Sequence, residues 1–419
     1  MTKKKVIIVG GGLAGLSAAY QLSGTENFEI HLIEKNNHLG GRVDSCNING
    51  QTIDTGGFLI YPWYKCYHQL ITELNLSEEL LNVPDAPHYY ATRHNAQDEY
   101  HKGFALSFTE MMQIFFKVFP APLTDRDPTA PNLNAYNYLT INEYLNSLEL
   151  PPDKVQLYLD VFDTYLQGYC YAPVAEHKMG FMAATLFQNI LHGDMHSASY
   201  LKNGSKVLID AMQQVLVNRG VKIHLNCTML SAESQQLITN IGAMQADEFI
   251  FCNTPTYIQY TRFVTATILF SGAAIVNGDA NWGSCFYKED AVKGLSILSI
   301  VNLEKLYTKK VAQHINLNIR VKKSVPIALS DNELFDCICA ELPTHFTEIK
   351  PLKLVNRIDW HNAMPIATES LVESIKLKQG LNNFYFAGDF LGCPSMETAL
   401  NTGKRAAQQL IRSQIKTEE

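Results

Sequence analysis

Residues Val6-Ile7-Ile8-Val9-Gly10-Gly11-Gly12-Leu13-Ala14-Gly15 decide the fold. A β-branched run predicts a short buried strand. The glycines then force a turn. Beyond them Leu13, Leu16, Ala19, Tyr20 and Leu22 recur at helical spacing. Strand, glycine turn and helix make one fold unit, so Lys3, Lys4 and Lys5 before an apolar stretch are not read as a leader peptide. Gly10 allows the tight turn, Gly12 lets backbone approach a pyrophosphate, and Gly15 lets helix and sheet pack closely. The amino terminus of the helix favours the anion. A second strand, Glu29 to Ile33, ends in Glu34, 24 residues after Gly10. A carboxylate there suits the ribose hydroxyls of a dinucleotide and disfavours a 2′-phosphate, which argues against NADP.

This unit alone does not separate NAD from FAD. Leu39-Gly40-Gly41-Arg42 and Asp54-Thr55-Gly56-Gly57 follow within a few residues. Gly40 and Gly41 allow the chain to cross close to a ligand, and Arg42 offers a fork of donors to a pyrophosphate. An ordinary NAD dehydrogenase does not call for this second element.

At these residues the sequence resembles the flavin-containing amine oxidase and phytoene desaturase superfamily. Phe384 to Asp389, a strand ending in Gly388-Asp389, and the run from Cys393 to Ala407 resemble that family's last strand and flavin-contacting helix. Tyr200 to Asn226 and Asp247 to Pro255 resemble its middle segment, with Asn203 where a second glycine is usual and Met229 where valine is usual. The likeness covers roughly residues 1–62, 200–256 and 384–411. It implies non-covalent FAD, because Cys393 lacks the family's usual attachment context. The cofactor contacts expected are Gly10, Gly12, Leu13, Ala14, Gly15, Glu34, Lys35, Gly41, Arg42, Gly57, Met229, Gly388, Asp389, Met396 and Glu397.

The fold class expected is α/β. A discontinuous Rossmann-like FAD-binding domain (1–62, 200–262, 372–419) carries a mixed α+β substrate domain (63–199, 263–371). Residues 63–199 read as mainly helical. Phe108, Met111, Met112, Phe115, Phe116 and Phe119 form a stripe that suits either a core helix or an apolar rim touching a membrane. Leu295 to Val301 and Ile315 to Val321 alternate as strands do.

Composition narrows the rest. With 34 Lys+Arg against 41 Asp+Glu, net −7, the chain has no broad footprint for nucleic acid. Its nine scattered cysteines contain no C-x-x-C pair, so neither a zinc knuckle nor a disulfide framework is expected, and no metal site is proposed. No apolar run reaches the roughly 20 residues of a membrane span. A cytoplasmic protein with a peripheral membrane contact is expected. No acid or base is assigned. Trp360, Ser395, Tyr61 and Tyr64 are candidates to line the reaction site. The family's amine oxidases often have tyrosine where Ser395 stands, and a lysine on a strand comparable to Phe263 to Ser271, which has none. These departures favour an apolar, isoprenoid-like small-molecule substrate over an amine. A non-catalytic escort protein of the same fold and an NAD-dependent dehydrogenase are the remaining readings.

Overall fold

The computed structural model describes residues 3–102 (except 49, 85, 95 and 96), 127–169, 172–181, 184, 188, 197–287, 295–307, 313–321, 329–342, 346 and 348–418. The Phe108–Phe119 stripe lies outside them.

The amino-terminal unit forms as read: strand β1 (Lys4–Val9), helix α1 (Leu13–Leu22) and strand β2 (Phe28–Ile33). Helix α2 is Lys65–Glu73 and helix α3 is Lys206–Asn218. Strands β3 (Lys222–His224), β4 (Glu248–Phe251) and β5 (Phe384–Phe386) follow, and helix α4 (Met396–Glu418) closes the chain. The five strands make one parallel sheet in the order β5-β4-β1-β2-β3. One sheet thus draws strands from three distant stretches of chain.

The all-apolar β1 is explained by burial on both faces. Val6 and Ile8 point to a core shared with Leu16 of α1, Met212 of α3 and Leu400 and Leu410 of α4. Ile7 and Val9 point to Leu237 in an antiparallel three-stranded sheet, Met229–Glu233, Gln236–Thr239 and Gly242–Gln245. Helix α2 buries Tyr67, Leu70 and Ile71 in the first core, so that core takes in chain beyond residue 62.

A second sheet has seven strands. In spatial order they are Glu348–Trp360, Phe263–Ala273, His314–Val321, Leu295–Asn302, Ser284–Tyr287, His88–His94 and Gln97–Lys102. One face buries Val264, Ala266, Ile268, Leu317 and Ile319 against Leu334 and Ile338 of the helix Asp331–Glu341. The mainly helical reading of 63–199 needs correction. His88–His94 and Gln97–Lys102 are strands, and the first joins the sheet through a parallel pairing, Tyr90 opposite Phe286. That pairing spans nearly 200 residues, so no local pattern announces it.

Candidate functional site

The glycine turn lies at the carboxyl end of β1, where open parallel sheets bind ligands. Gly10 has φ +108°, a conformation that excludes most side chains. A β-carbon on Gly15 would stand 1.9 Å from the Gly10 carbonyl oxygen, so this glycine is what brings α1 against the strand end. Gly12 differs. A β-carbon there would meet only backbone, Gly40 O and Gly41 Cα, both at 3.9 Å. The protein therefore leaves room at Gly12 that its own packing does not require.

From Gly12 a line of bare backbone continues across the fold. Gly40 N donates to Gly11 O at 2.9 Å, and Gly41 sits against Gly12. Gly57 N donates to Arg42 O at 3.0 Å. A β-carbon on Gly57 would lie 3.3 Å from the Met396 sulfur, at the amino terminus of α4. Gly12, Gly41, Gly57 and Met396 are thus brought together from both ends of the chain.

Glu34 is buried, and its carboxylate accepts from Gly11 N at 2.7 Å and from Asn36 N at 2.9 Å. It ties the glycine turn to the end of β2. Lys35 beside it is exposed, and Met229 packs with Cys227 and Leu237 beneath the parallel sheet. Leu13 and Ala14 are core residues of α1.

Arg42 and Asp389 also meet, but on each other. Arg42 Nη1 and Nη2 donate to the two Asp389 oxygens at 2.8 and 2.7 Å, and Nη1 also donates to Ala363 O at 2.8 Å. The expected fork toward a pyrophosphate is therefore turned to a carboxylate 347 positions away. Gly388, at φ +155°, makes the turn that presents Asp389.

Two further expected site residues make contacts within the protein. Both Glu397 oxygens accept from the first turn of α2, Cys66 N at 2.7 Å and Tyr67 N at 3.0 Å. This carboxylate caps the start of α2. Ser395 Oγ accepts from Thr398 N at 3.0 Å and so caps α4. Trp360 ends an outer strand of the large sheet, with Nε1 donating to Thr265 Oγ1 at 3.0 Å. Tyr61, Trp63 and Tyr64 form a buried aromatic group in the first core, Trp63 and Tyr64 edge to face at 4.5 Å.

Three residues outside the expected cofactor contacts stand by the bare backbone. Thr55 Oγ1, Asn253 Oδ1 and Tyr260 Oη are buried without a hydrogen-bond partner among the described residues. Asn253 follows β4, beside Gly10. Tyr260 faces Arg42, whose guanidinium carbon is 6.0 Å from the ring centre. Thr55 precedes the Gly56-Gly57 pair. Each orphaned group costs about 1–3 kcal/mol, and a polar ligand would relieve that cost. The position of Asn253, just past a strand end, was a signal available in the sequence. That of Tyr260, in a loop, was not.

Asp54 sits in a separate buried node. It accepts from Ser205 N at 2.6 Å, Ser45 Oγ at 3.0 Å and Tyr307 Oη at 3.1 Å. Burial pushes its carboxyl up to about 6, against the pull of these donors.

The sequence profile described as "Flavin containing amine oxidoreductase" matches residues 13–234, more than half of the chain. The chain belongs to this family. Among its relatives is the 4,4′-diaponeurosporene oxygenase of Staphylococcus haemolyticus (strain JCSC1435), 24% identical over 63% of this chain and 58% of that protein. Another is the pseudooxynicotine dehydrogenase of a Pseudomonas species, 22% identical over 61% of this chain and 53% of that protein. The chain thus spans just over half the length of these curated relatives. The crystal structure of a CLA-producing fatty acid isomerase from P. acnes superposes with a TM-score of 0.74 at 13% identity, covering 97% of this chain and 98% of that one. At that identity the likeness concerns the fold. No helix among the described residues is long and apolar enough to cross a membrane.

Proposed function

We propose that this chain is an FAD-dependent oxidoreductase that takes hydride from a C–H bond of a lipophilic, isoprenoid-like substrate. The observation that carries it is the bare-backbone line from Gly12 to Met396, flanked by the orphaned Thr55, Asn253 and Tyr260. These residues fit FAD. Gly12, Gly41 and the amino end of α1 would hold the pyrophosphate, and Glu34 would hold the adenosine ribose. Asp389 and the amino end of α4 would hold the flavin half. When bound, FAD supplies the hydride-accepting ring.

The protein's own part is to hold and orient. Asp389 is held in place by the two Arg42 donors. The donors at the amino end of α4 favour negative charge beside it. The buried Tyr61–Tyr64 group excludes water from the underside. Cys393 directs its thiol to the Phe181 carbonyl at 3.5 Å, which fits a cofactor held without a covalent bond. We read the two sheets as two domains, the large sheet forming the substrate half.

The lipophilic substrate is supported by the diaponeurosporene oxygenase among the relatives and by the small Ser395 at the head of α4. A substrate of that kind is met at a membrane surface, so the reading includes a peripheral contact there. The pseudooxynicotine dehydrogenase supports a second reading, oxidation of an amine. Anaerobic mixing of the FAD-loaded protein with polyprenoid lipids and with primary or secondary amines decides between them. Bleaching of the flavin band by lipids is the expected result. Bleaching by amines alone supports the second reading instead.

A further inference from the structure

One joint between the two halves of the molecule is built around Asp54. A buried apolar cluster there holds Ile48 and Ile53 of the hairpin Ser45–Ile48 and Gln51–Asp54, Tyr200, and Leu303 and Tyr307 from the large-sheet half. Val301 and Val355, on strands of the large sheet, pack against it. Tyr307 is fixed to that sheet. Strand Leu295–Asn302 runs into the helical turn Leu303–Leu306, and Asn302 Oδ1 caps the turn by accepting from Glu304 N at 3.2 Å. Tyr307 N then donates to Leu303 O at 2.9 Å.

Tyr307 reaches across the joint with one hydroxyl used twice. Its Oη accepts from Asp54 N at 2.7 Å and donates to Asp54 Oδ2 at 3.1 Å. The other Asp54 oxygen accepts from Ser45 Oγ and Ser205 N, both in the nucleotide half. Asp54 leads directly into the Thr55-Gly56-Gly57 turn. Thr55 N donates to Asp44 O and Gly57 N to Arg42 O, each at 3.0 Å. On the far side of the turn Phe58 packs into the same joint. Two residues of the joint therefore bracket the turn. The turn in its place sets Gly57 against the Met396 sulfur and carries Thr55 Oγ1, buried without a partner among the described residues. Phenylalanine at 307 would serve packing alone. A buried hydroxyl bonded twice to Asp54 also fixes direction, because both hydrogen bonds close in only one relative placement of the halves.

We infer that Tyr307 is a positioning residue for the cofactor: through Asp54 it carries the placement of the large-sheet half to the Thr55–Gly57 turn, beside which the flavin half lies. It acts without touching cofactor or substrate. A displacement of about 1 Å in such a turn is enough to weaken a contact that depends on position. The inference rests on the FAD reading above and adds to it a residue from the other half of the molecule.

The test strips FAD from the purified full chain and titrates it back, reading the dissociation constant from flavin fluorescence. Tyr307→Phe keeps the ring that meets Tyr200 edge-on at 5.6 Å and removes only the hydroxyl. It should raise the FAD dissociation constant about 3- to 10-fold. Ile48→Ala opens the same joint at the end of the hairpin away from Asp54. It should lower the unfolding midpoint more than Tyr307→Phe does, yet leave the dissociation constant within about 2-fold of the parent. Because Tyr307 acts through Asp54, its effect should shrink below about 2-fold in an Asp54→Asn background. An unchanged constant in Tyr307→Phe overturns the inference, as does an equal rise in Ile48→Ala or an effect of Tyr307→Phe undiminished beside Asp54→Asn. Each of these leaves the FAD reading standing. A parent chain that takes up no FAD removes that reading and the inference with it.

Discussion

Single residues divide sharply between holding the fold and holding a ligand, and the glycines show it best. A β-carbon on Gly15 collides with the Gly10 carbonyl, whereas one on Gly12 meets nothing closer than 3.9 Å. Gly15→Ala should therefore destabilise the protein by about 3 kcal/mol, seen in denaturant unfolding. Gly12→Ala should unfold like the parent yet emerge from gel filtration with little FAD. Equal stability loss in both variants would contradict the assignment of Gly12 to a cofactor. Asp54 makes a different kind of prediction. Its carboxyl titrates near 6 when folded, against about 3.9 in an unfolded chain. The folded state thus binds the proton more tightly, so the stabilisation is complete below about pH 3.9 and is lost as pH rises through 6. That difference corresponds to about 3 kcal/mol. Asp54→Asn keeps acceptors for Ser205 and Ser45 and removes the titration. The difference in unfolding free energy between parent and variant should shift in the variant's favour from pH 4 to pH 7. A difference that stays constant over this range would sink the idea.

Elements are held at their ends by residues far away in sequence. Glu397, in the first turn of α4, caps α2 more than 300 positions earlier. Glu397→Ala leaves Cys66 and Tyr67 N–H groups without their acceptor and should cost about 1–2 kcal/mol of stability. Hydrogen exchange should show the loss first in the opening turn of α2. Unchanged protection there would mean that water or another group replaces the cap. The crossing of α1 and α4 depends on Gly403, where a β-carbon would come within 2.1 Å of the Ala14 carbonyl. Gly403→Ala should spread these helices and lower the unfolding midpoint, with FAD lost in parallel because both helices begin at the proposed site.

Across the whole molecule, what the sequence made legible was local chemistry, and what it hid was long-range pairing. The β1–α1–β2 unit, α3, β4 and the Gly388–Asp389 turn could be read because glycine turns and apolar periodicity are written within a few residues. The strand His88–His94 could not, because its polar sequence gains its place only by pairing with Ser284–Tyr287. Arg42 and Glu397 were singled out, but their partners, Asp389 and the start of α2, are set by tertiary packing. Ser395 was noted for the side chain it lacks, whereas its cap on α4 depends on where that helix begins. The central claim, that both ends of this chain fold together to hold FAD, has one direct measurement. The protein is expressed, purified without added flavin, denatured by heat, and the released fluorophore is separated and quantified. The account predicts a yellow protein that releases close to one FAD per chain into solution. A colourless protein that takes up no FAD on reconstitution, or flavin that stays bound to the denatured chain, would contradict it.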